Sequence, residues 1–142
     1  MIKINWNEFE EHVEMLLNKI DYDPDLVMCI GSGGLLLGKL VSERLKKPWA
    51  IISAKSYNGK EKGSVIVGNI SSTEVIAGKV LLVDDLADSG ETFWNVLDRL
   101  KVFEDIKEVK TATLFYKNKS NHIPDYHVKE VNDWVVFPYE SE

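Results

Sequence analysis

The stretch Val80-Leu81-Leu82-Val83-Asp84-Asp85-Leu86-Ala87-Asp88-Ser89-Gly90-Glu91-Thr92 constrains the fold more than any other part of the chain. Its first four residues are apolar without alternation, which is how a strand reads when both faces are buried. Two adjacent carboxylates stand at the C-terminal end of that strand, followed by a third carboxylate, two hydroxyls and a glycine. Phe93, Val96, Leu97 and Leu100 then fall at the spacing of a helix with one apolar face. Strand, tight loop and helix N-terminus is a layout that binds phosphate. The first N–H groups of a helix lack internal partners, and the helix dipole places partial positive charge there. Gly90 is expected to let the backbone approach a ligand, and Ser89 and Thr92 add hydroxyl donors. The carboxylates suit what lies beside a phosphate: sugar hydroxyls, a divalent cation or a developing positive charge. A buried strand ending in an Asp-rich turn accounts for any two of these residues, but poorly for all of them in this order.

A length of 142 residues favours one domain, residues 1–142, around a single core. No apolar run approaches the ~20 residues needed to cross a bilayer. Met1 to Glu14 mixes charged and apolar residues, unlike a signal peptide. Cys29 is the single cysteine, which rules out an internal disulfide, and it reads as a small buried hydrophobe. A cytoplasmic location is the resulting expectation. The net charge of −6 argues against a nucleic-acid partner, because phosphate contacts along a polymer need clustered Lys and Arg. It leaves room for a small anionic substrate in a local pocket.

Residues 6–20 read as a helix with Phe9, Val13, Leu16, Leu17 and Ile20 on one face and Asn5 or Asn7 as its cap. His12 lies in it as a surface or packing residue. Asp23-Pro24-Asp25 ends this unit. Leu26 to Ile30 is a second buried-strand candidate, followed by Gly31-Ser32-Gly33-Gly34 and a helix from about Leu35 to Lys46. The glycines are expected to bring N–H groups close to a ligand, although the loop matches neither a P-loop nor a dinucleotide fingerprint. Trp49 to Ala54 reads as a third strand. Residues 55–72 carry Lys55, Lys60 and Lys62 and read as a solvated basic hairpin, a candidate flap, with Val65-Ile66-Val67 as its return strand. Lys110 to Tyr116 is a further strand with Lys117, Asn118 and Lys119 at its end. Tyr126 to Val131 is a short strand, and Trp134 to Tyr139 closes the chain. Strands alternating with helices predict an α/β fold with a mostly parallel central sheet flanked by helices. Ligands bind such sheets outside the carboxyl ends of the strands. The polar loops 31–34, 84–92 and 117–121 all follow strand ends, so they are expected to converge on one edge.

Asp84-Asp85-x-x-Asp88-Ser89-Gly90-x-Thr92 behind the apolar run resembles the 5-phosphoribosyl 1-pyrophosphate (PRPP) signature of the type I phosphoribosyltransferases. Among these the chain is most similar to the short xanthine-guanine enzymes, from the first glycine loop to the Trp134-x-x-x-Pro138 segment. The resemblance implies the type I phosphoribosyltransferase fold with a flap at about 55–72 and a small C-terminal hood, its base-binding segment at about 117–142. It implies that Asp84 and Asp85 hold the ribose hydroxyls and help place Mg²⁺, and that Asp88 relays a proton near the base N7. It further assigns the 5-phosphate to Asp88, Ser89, Gly90, Glu91 and Thr92, and the pyrophosphate to Gly31, Ser32, Gly33 and Gly34. The base falls to Lys117, which would read a purine 6-oxo group, to Trp134, which would stack on the ring, and to the backbone of Val135. Without the resemblance, Lys117 reads as a solvated lysine and Trp134 as a core residue.

Two departures stand out. The family's first loop usually reads Arg-Gly-Gly, and Ser32 stands in the arginine's place; Lys39 or a lysine of 55–62 is a candidate to compensate. Glu91 stands where a small residue is common. Family members can hold a non-proline cis peptide in the first loop, and Gly31–Ser32 is the candidate. The implied reaction joins a 6-oxopurine (guanine, xanthine or hypoxanthine) to PRPP and yields a nucleoside monophosphate and pyrophosphate. The base preference stays open, adenine included. The alternative is a non-catalytic PRPP-sensing regulator; a phosphoryl-accepting receiver domain fits less well, because it needs its acid pair near the N-terminus. A homodimer or homotetramer is expected, with Trp6, Trp94 and Phe103 as candidate interface aromatics.

Overall fold

The computed structural model describes residues 1–56 and 65–140. The expected flap residues 57–64, Lys60 and Lys62 among them, lie outside the described residues. Five strands form the central sheet: β2 (Leu26–Gly31), β3 (Trp49–Ser56), β4 (Val65–Ser72), β5 (Gly78–Val83) and β7 (Ile106–Ala112), in the spatial order β4-β3-β2-β5-β7. β3, β2, β5 and β7 run parallel, and β4 closes one edge antiparallel to β3. Residues 65–72 of the expected flap are therefore a regular edge strand. Strand order reverses at β2: the chain leaves it toward β3 and β4 and returns on its other side as β5. Such a switch point opens a crevice between the carboxyl ends of the two central strands.

Three helices cover the sheet: α1 (Trp6–Lys19), α2 (Leu35–Leu45) and α3 (Glu91–Leu100). The continuous apolar runs are explained by burial on both faces. Val27, Leu81 and Val83 join Phe9, Val13 and Leu16 of α1 and Leu37 and Val41 of α2 in one core cluster. Leu26, Met28, Ile30, Val80 and Leu82 join Phe93, Val96 and Leu100 of α3 in the other. Neighbouring strand residues thus face opposite helical layers, and a polar residue on either face would be buried without a partner. Asn5 is the cap of α1, its Oδ1 accepting the Glu8 N–H at 2.8 Å. His12 packs edge-on against Phe115, with ring centroids 5.1 Å apart.

Three expectations need correction. The strand expected over 110–116 begins at Ile106 and breaks after Ala112. The Leu114 and Phe115 N–H groups turn to the Asp85 carbonyl, at 3.2 and 3.3 Å. β8 (Phe115–Tyr116) then pairs with β6 (Leu86–Ala87) and with β9 (Lys129–Glu130) in a second, three-stranded parallel sheet. The strand expected over 126–131 is reduced to β9, plus a single bridge from Tyr126 to Ala112. Phe103 is half-buried against the α3 side of the core, whereas Trp6 and Trp94 are exposed. β10 (Val135–Val136) pairs in parallel with β1 (Ile2–Lys3), a pairing of residues more than 130 positions apart that no local pattern signals. Among the described residues no helix is long and apolar enough to cross a membrane.

Cys29 is wholly buried, and a Cβ at Gly38 of α2 would overlap its sulfur. This contact sets how closely α2 lies on β2. Gly38→Ala is expected to lower stability by about 1–3 kcal/mol through overpacking. In denaturant titrations, adding Cys29→Ala should recover part of that loss by making room; strictly additive effects would show the contact to be unimportant.

Candidate functional site

The loop after β2 and the loop after β5 meet at the switch point. A Cβ on Gly34 would overlap the Val83 carbonyl oxygen and lie 2.8 Å from the Asp84 Cα. A Cβ on Gly33 would lie 3.1 Å from both carboxylate oxygens of Asp85 and 3.2 Å from Asp84 Oδ1. Neither glycine has a positive φ, so their absence of a side chain matters for space rather than for backbone conformation. The glycine loop forms a bare wall over the acid pair. The Gly31–Ser32 peptide is cis.

Asp84 Oδ1 accepts the Asp85 N–H at 2.8 Å. Asp85 Oδ2 accepts the Tyr139 hydroxyl at 2.9 Å, and that hydroxyl also lies 3.4 Å from the Gly33 carbonyl oxygen. Burial, and then the neighbouring Asp85 charge, push the Asp84 carboxyl well above the ordinary range. Burial raises Asp85 too, against the opposing effect of the Tyr139 hydrogen bond. The Tyr139 phenol, itself buried beside these acids, is held well above its usual value and remains a donor. Two adjacent acids that resist losing their protons make a site suited to positive charge. Their donors are all oxygen, which fits Mg²⁺; that ion takes one or two carboxylates and completes its shell with water and phosphate oxygens. Among the described residues no cluster of three or more His, Cys, Asp or Glu side chains is placed to hold a metal.

The third loop docks onto the second. Asp88 Oδ1 lies 3.3 Å from Lys117 Nζ and 3.1 Å from Lys119 Nζ. The Lys117 side chain is only 12% exposed, so it is not a solvated strand-end lysine; Lys119, at 66%, is the solvated one of the two. Asn121, which carried no signal in the sequence, organises the turn at the helix start. Its N–H donates to the Ser89 carbonyl at 2.9 Å, and its Nδ2 donates to Glu91 Oε1 at 3.1 Å. Its carbonyl accepts the Trp94 indole N–H at 3.1 Å. Gly90, with φ 89°, serves this packing, because a Cβ there would overlap Asn121 Oδ1. The Glu91 carboxylate is thereby drawn toward Asn121. The N-cap of α3, Gly90, supplies no side chain, and Ser89 Oγ accepts the first helical N–H, that of Glu91, at 3.2 Å, so the helix dipole is directed at this loop.

Trp134 is 65% exposed and is no core residue. β1 fixes the segment around it: the Ile2 and Ile4 N–H groups donate to the carbonyls of Trp134 and Val136, at 2.7 and 3.0 Å. Alternation along a strand directs the Val135 carbonyl the other way, while the Val135 side chain is buried. Lys39 forms a 2.7 Å ion pair with Glu43 on the exposed face of α2, which counts against its compensating for Ser32.

A mostly parallel sheet with a glycine-walled acid pair at its switch point, beside a helix N-terminus, is the design of a phosphoribosyl-transferring domain. The profile of the phosphoribosyl transferase domain family matches residues 5–141, and the chain belongs to that family. Its relatives include the xanthine-guanine phosphoribosyltransferases of Cereibacter sphaeroides and Chromohalobacter salexigens. The first is 28% identical over 96% of this chain and 85% of its own length, the second 25% over 96% and 82%. Among solved structures, a purine phosphoribosyltransferase from Pyrococcus horikoshii superposes with a TM-score of 0.86 at 28% identity, covering 99% of this chain and 95% of its own.

The acid pair makes the ligand-free protein sensitive to pH in a definite direction. Carboxyls raised in the folded state leave it with more bound protons than the unfolded chain once pH exceeds the ordinary carboxylate value. Stability therefore falls as pH climbs from there through the raised values. Asp84→Asn removes part of this loss and should raise the melting temperature near pH 7, with a much smaller gain near pH 3.5. Thermal melts across that range check this; a gain independent of pH would contradict it.

Proposed function

We propose that this chain transfers the 5-phosphoribosyl group of PRPP to a 6-oxopurine base (guanine, xanthine or hypoxanthine), releasing the nucleoside 5′-monophosphate and pyrophosphate. The observation that carries this reading is the Asp88–Lys117 pair, 3.3 Å apart and next to the start of α3. In a 6-oxopurine the N7 and the 6-oxo oxygen lie side by side on one edge. A carboxylate beside an ammonium complements that edge: Asp88 takes the N7 proton, and Lys117 donates to the oxygen. Adenine offers an amino group there, to which an ammonium cannot donate. The names of the relatives, which specify xanthine, guanine or purine, agree with this assignment.

In this reading the 5-phosphate sits on the turn Asp88–Thr92 at the N-terminus of α3, where its charge meets the helix dipole. Asp84 and Asp85 lie under the ribose, hold its hydroxyls and stabilise the positive charge that C1 gains as its bond to pyrophosphate breaks ahead of the bond to the base nitrogen. Asp88 accepts the proton that the base gives up. These same two acids, Asp84 and Asp85, are the residues that would hold Mg²⁺, which when bound supplies positive charge to the departing pyrophosphate. The wall Gly31–Gly34 offers that group backbone rather than a charged clamp, since Ser32 carries no charge. Trp134 provides an exposed ring for stacking, and the Val135 carbonyl is directed away from β1, available to the ring edge. The setting we infer is a cytoplasmic homodimer or homotetramer. A PRPP sensor without catalysis would have no use for the base-reading pair.

The protein is to be incubated with PRPP and Mg²⁺ and offered guanine, xanthine, hypoxanthine and adenine singly, with nucleotide formation followed. Turnover with at least one 6-oxopurine is expected. Turnover with adenine alone would overturn the base assignment, and PRPP binding without any turnover would favour the sensor. Asp88→Asn should lower kcat by roughly 10²–10⁴-fold, the usual contribution of a positioned proton acceptor. Lys117→Ala should lower kcat/KM for 6-oxopurines by about 10–100-fold, as loss of a charge-assisted hydrogen bond does.

A further inference from the structure

Tyr139 lies near the end of the described chain, in the C-terminal segment that carries Trp134 and Val135, yet its hydroxyl reaches the acid pair at the centre of the molecule. It donates to Asp85 Oδ2 at 2.9 Å and lies 3.4 Å from the Gly33 carbonyl oxygen, so one phenol touches both walls of the crevice. The ring is fixed by its neighbours. It stacks on Phe137 with centroids 5.4 Å apart and planes 7° from parallel, and meets Phe9 edge-on at 5.7 Å. Trp6 lies at 6.4 Å. Phe137 in turn stacks on Phe115 at 5.9 Å, next to the backbone that bonds the Asp85 carbonyl. Packing from α1, β8 and the C-terminal segment therefore decides where the hydroxyl points, and no rotation of the ring about its long axis moves it.

We propose that Tyr139 is a positioning residue for the PRPP site: its hydroxyl holds Asp85 Oδ2 against the glycine loop and leaves Asp85 Oδ1, with Asp84, to the ligand. The proposal rests on the phosphoribosyl-transfer reading above. One of four carboxylate oxygens is thereby committed to the protein, and Asp84 Oδ1 is committed to the Asp85 N–H at 2.8 Å. The Asp85 carboxylate also bonds the Leu86 N–H and the Asp84 carboxyl, so what the pair offers to ribose hydroxyls or a cation is its remaining lone pairs. A tyrosine can do this where a lysine or arginine could not, because it fixes the carboxylate without neutralising the negative charge on which the site depends. The hydroxyl also ties the base-binding segment to the PRPP pocket by a single bond, so the two halves of the site share one frame.

The test is Tyr139→Phe, which keeps the stacked ring and removes only the hydroxyl. The expected result is a melting temperature shifted by no more than a few degrees and a KM for PRPP raised about tenfold, the cost of a lost hydrogen bond to a carboxylate. The change in kcat should be smaller, and KM for the base should stay nearly constant. Independently of turnover, the rise in melting temperature produced by PRPP with Mg²⁺ should shrink. On an Asp85→Asn background Tyr139→Phe should add little, because its effect runs through Asp85. An unchanged KM and an unchanged thermal shift would overturn the proposal. So would tighter PRPP binding, which would make Tyr139 an obstruction, or fully additive effects in the double variant. A wild-type protein that responds to PRPP neither in turnover nor in melting temperature would overturn the phosphoribosyl reading itself, and this proposal with it.

Discussion

The parallel pairing of β2 with β5, the two strands on either side of the switch point, is the constraint on which the rest depends. Its register, Leu26 with Val80 through Cys29 with Val83, ends β5 two residues short of the end of β2 at Gly31. Gly34 can then pack directly on the Val83 carbonyl, and Gly33 can lie against Asp84 and Asp85. The pairing is held by burial on both faces: every β5 residue from Val80 to Val83 is fully buried. A one-residue slip would exchange the two core faces and move the acids away from the glycine wall together. Fold stability and site geometry are therefore set by the same contacts.

The site carries a cost in the ligand-free protein. Asp85 is buried and Asp84 beside it is half-buried, and among the described residues the Tyr139 hydroxyl donates to Asp85 Oδ2. Their raised protonation is the electrostatic expression of that cost. The third acid is treated differently: Asp88 is met by two lysines from the loop after β8. The neighbourhood thus separates three carboxylates into an adjacent pair at the glycine wall and a single one paired with lysines.

Much of this was legible because the relevant signals are local. The runs Leu26–Ile30 and Val80–Val83 declare two-sided burial, and Asp84 to Thr92 lie within one strand–loop–helix unit whose chemistry can be read residue by residue. The convergence of three loops followed from the rule that parallel strands place their carboxyl ends on one edge. What was illegible depended on partners far apart in sequence. The packing of Asn121 on Gly90 carried no signal, because the two lie 31 positions apart. Lys117 looked solvated because nothing near it in sequence shows that Asp88 lies beside it. The break after Ala112 could not be foreseen, since it arises when the Asp85 carbonyl captures the Leu114 and Phe115 N–H groups.

The sequence by itself determined the α/β class, the two buried central strands, the acidic and glycine-bearing loops that follow them, and the helix α3 that starts directly after the second loop. These depend on side-chain periodicity and on the intrinsic preferences of neighbouring residues, which act over a few positions. Only the tertiary structure decided which of these groups face each other. It set Tyr139 on Asp85, Lys117 and Lys119 on Asp88, Asn121 on the turn before α3, and the N-terminal strand β1 beside the Trp134 segment. Such pairings are fixed by the packing of whole layers, because one end of a parallel sheet gathers loops that the chain order keeps 30 to more than 100 residues apart.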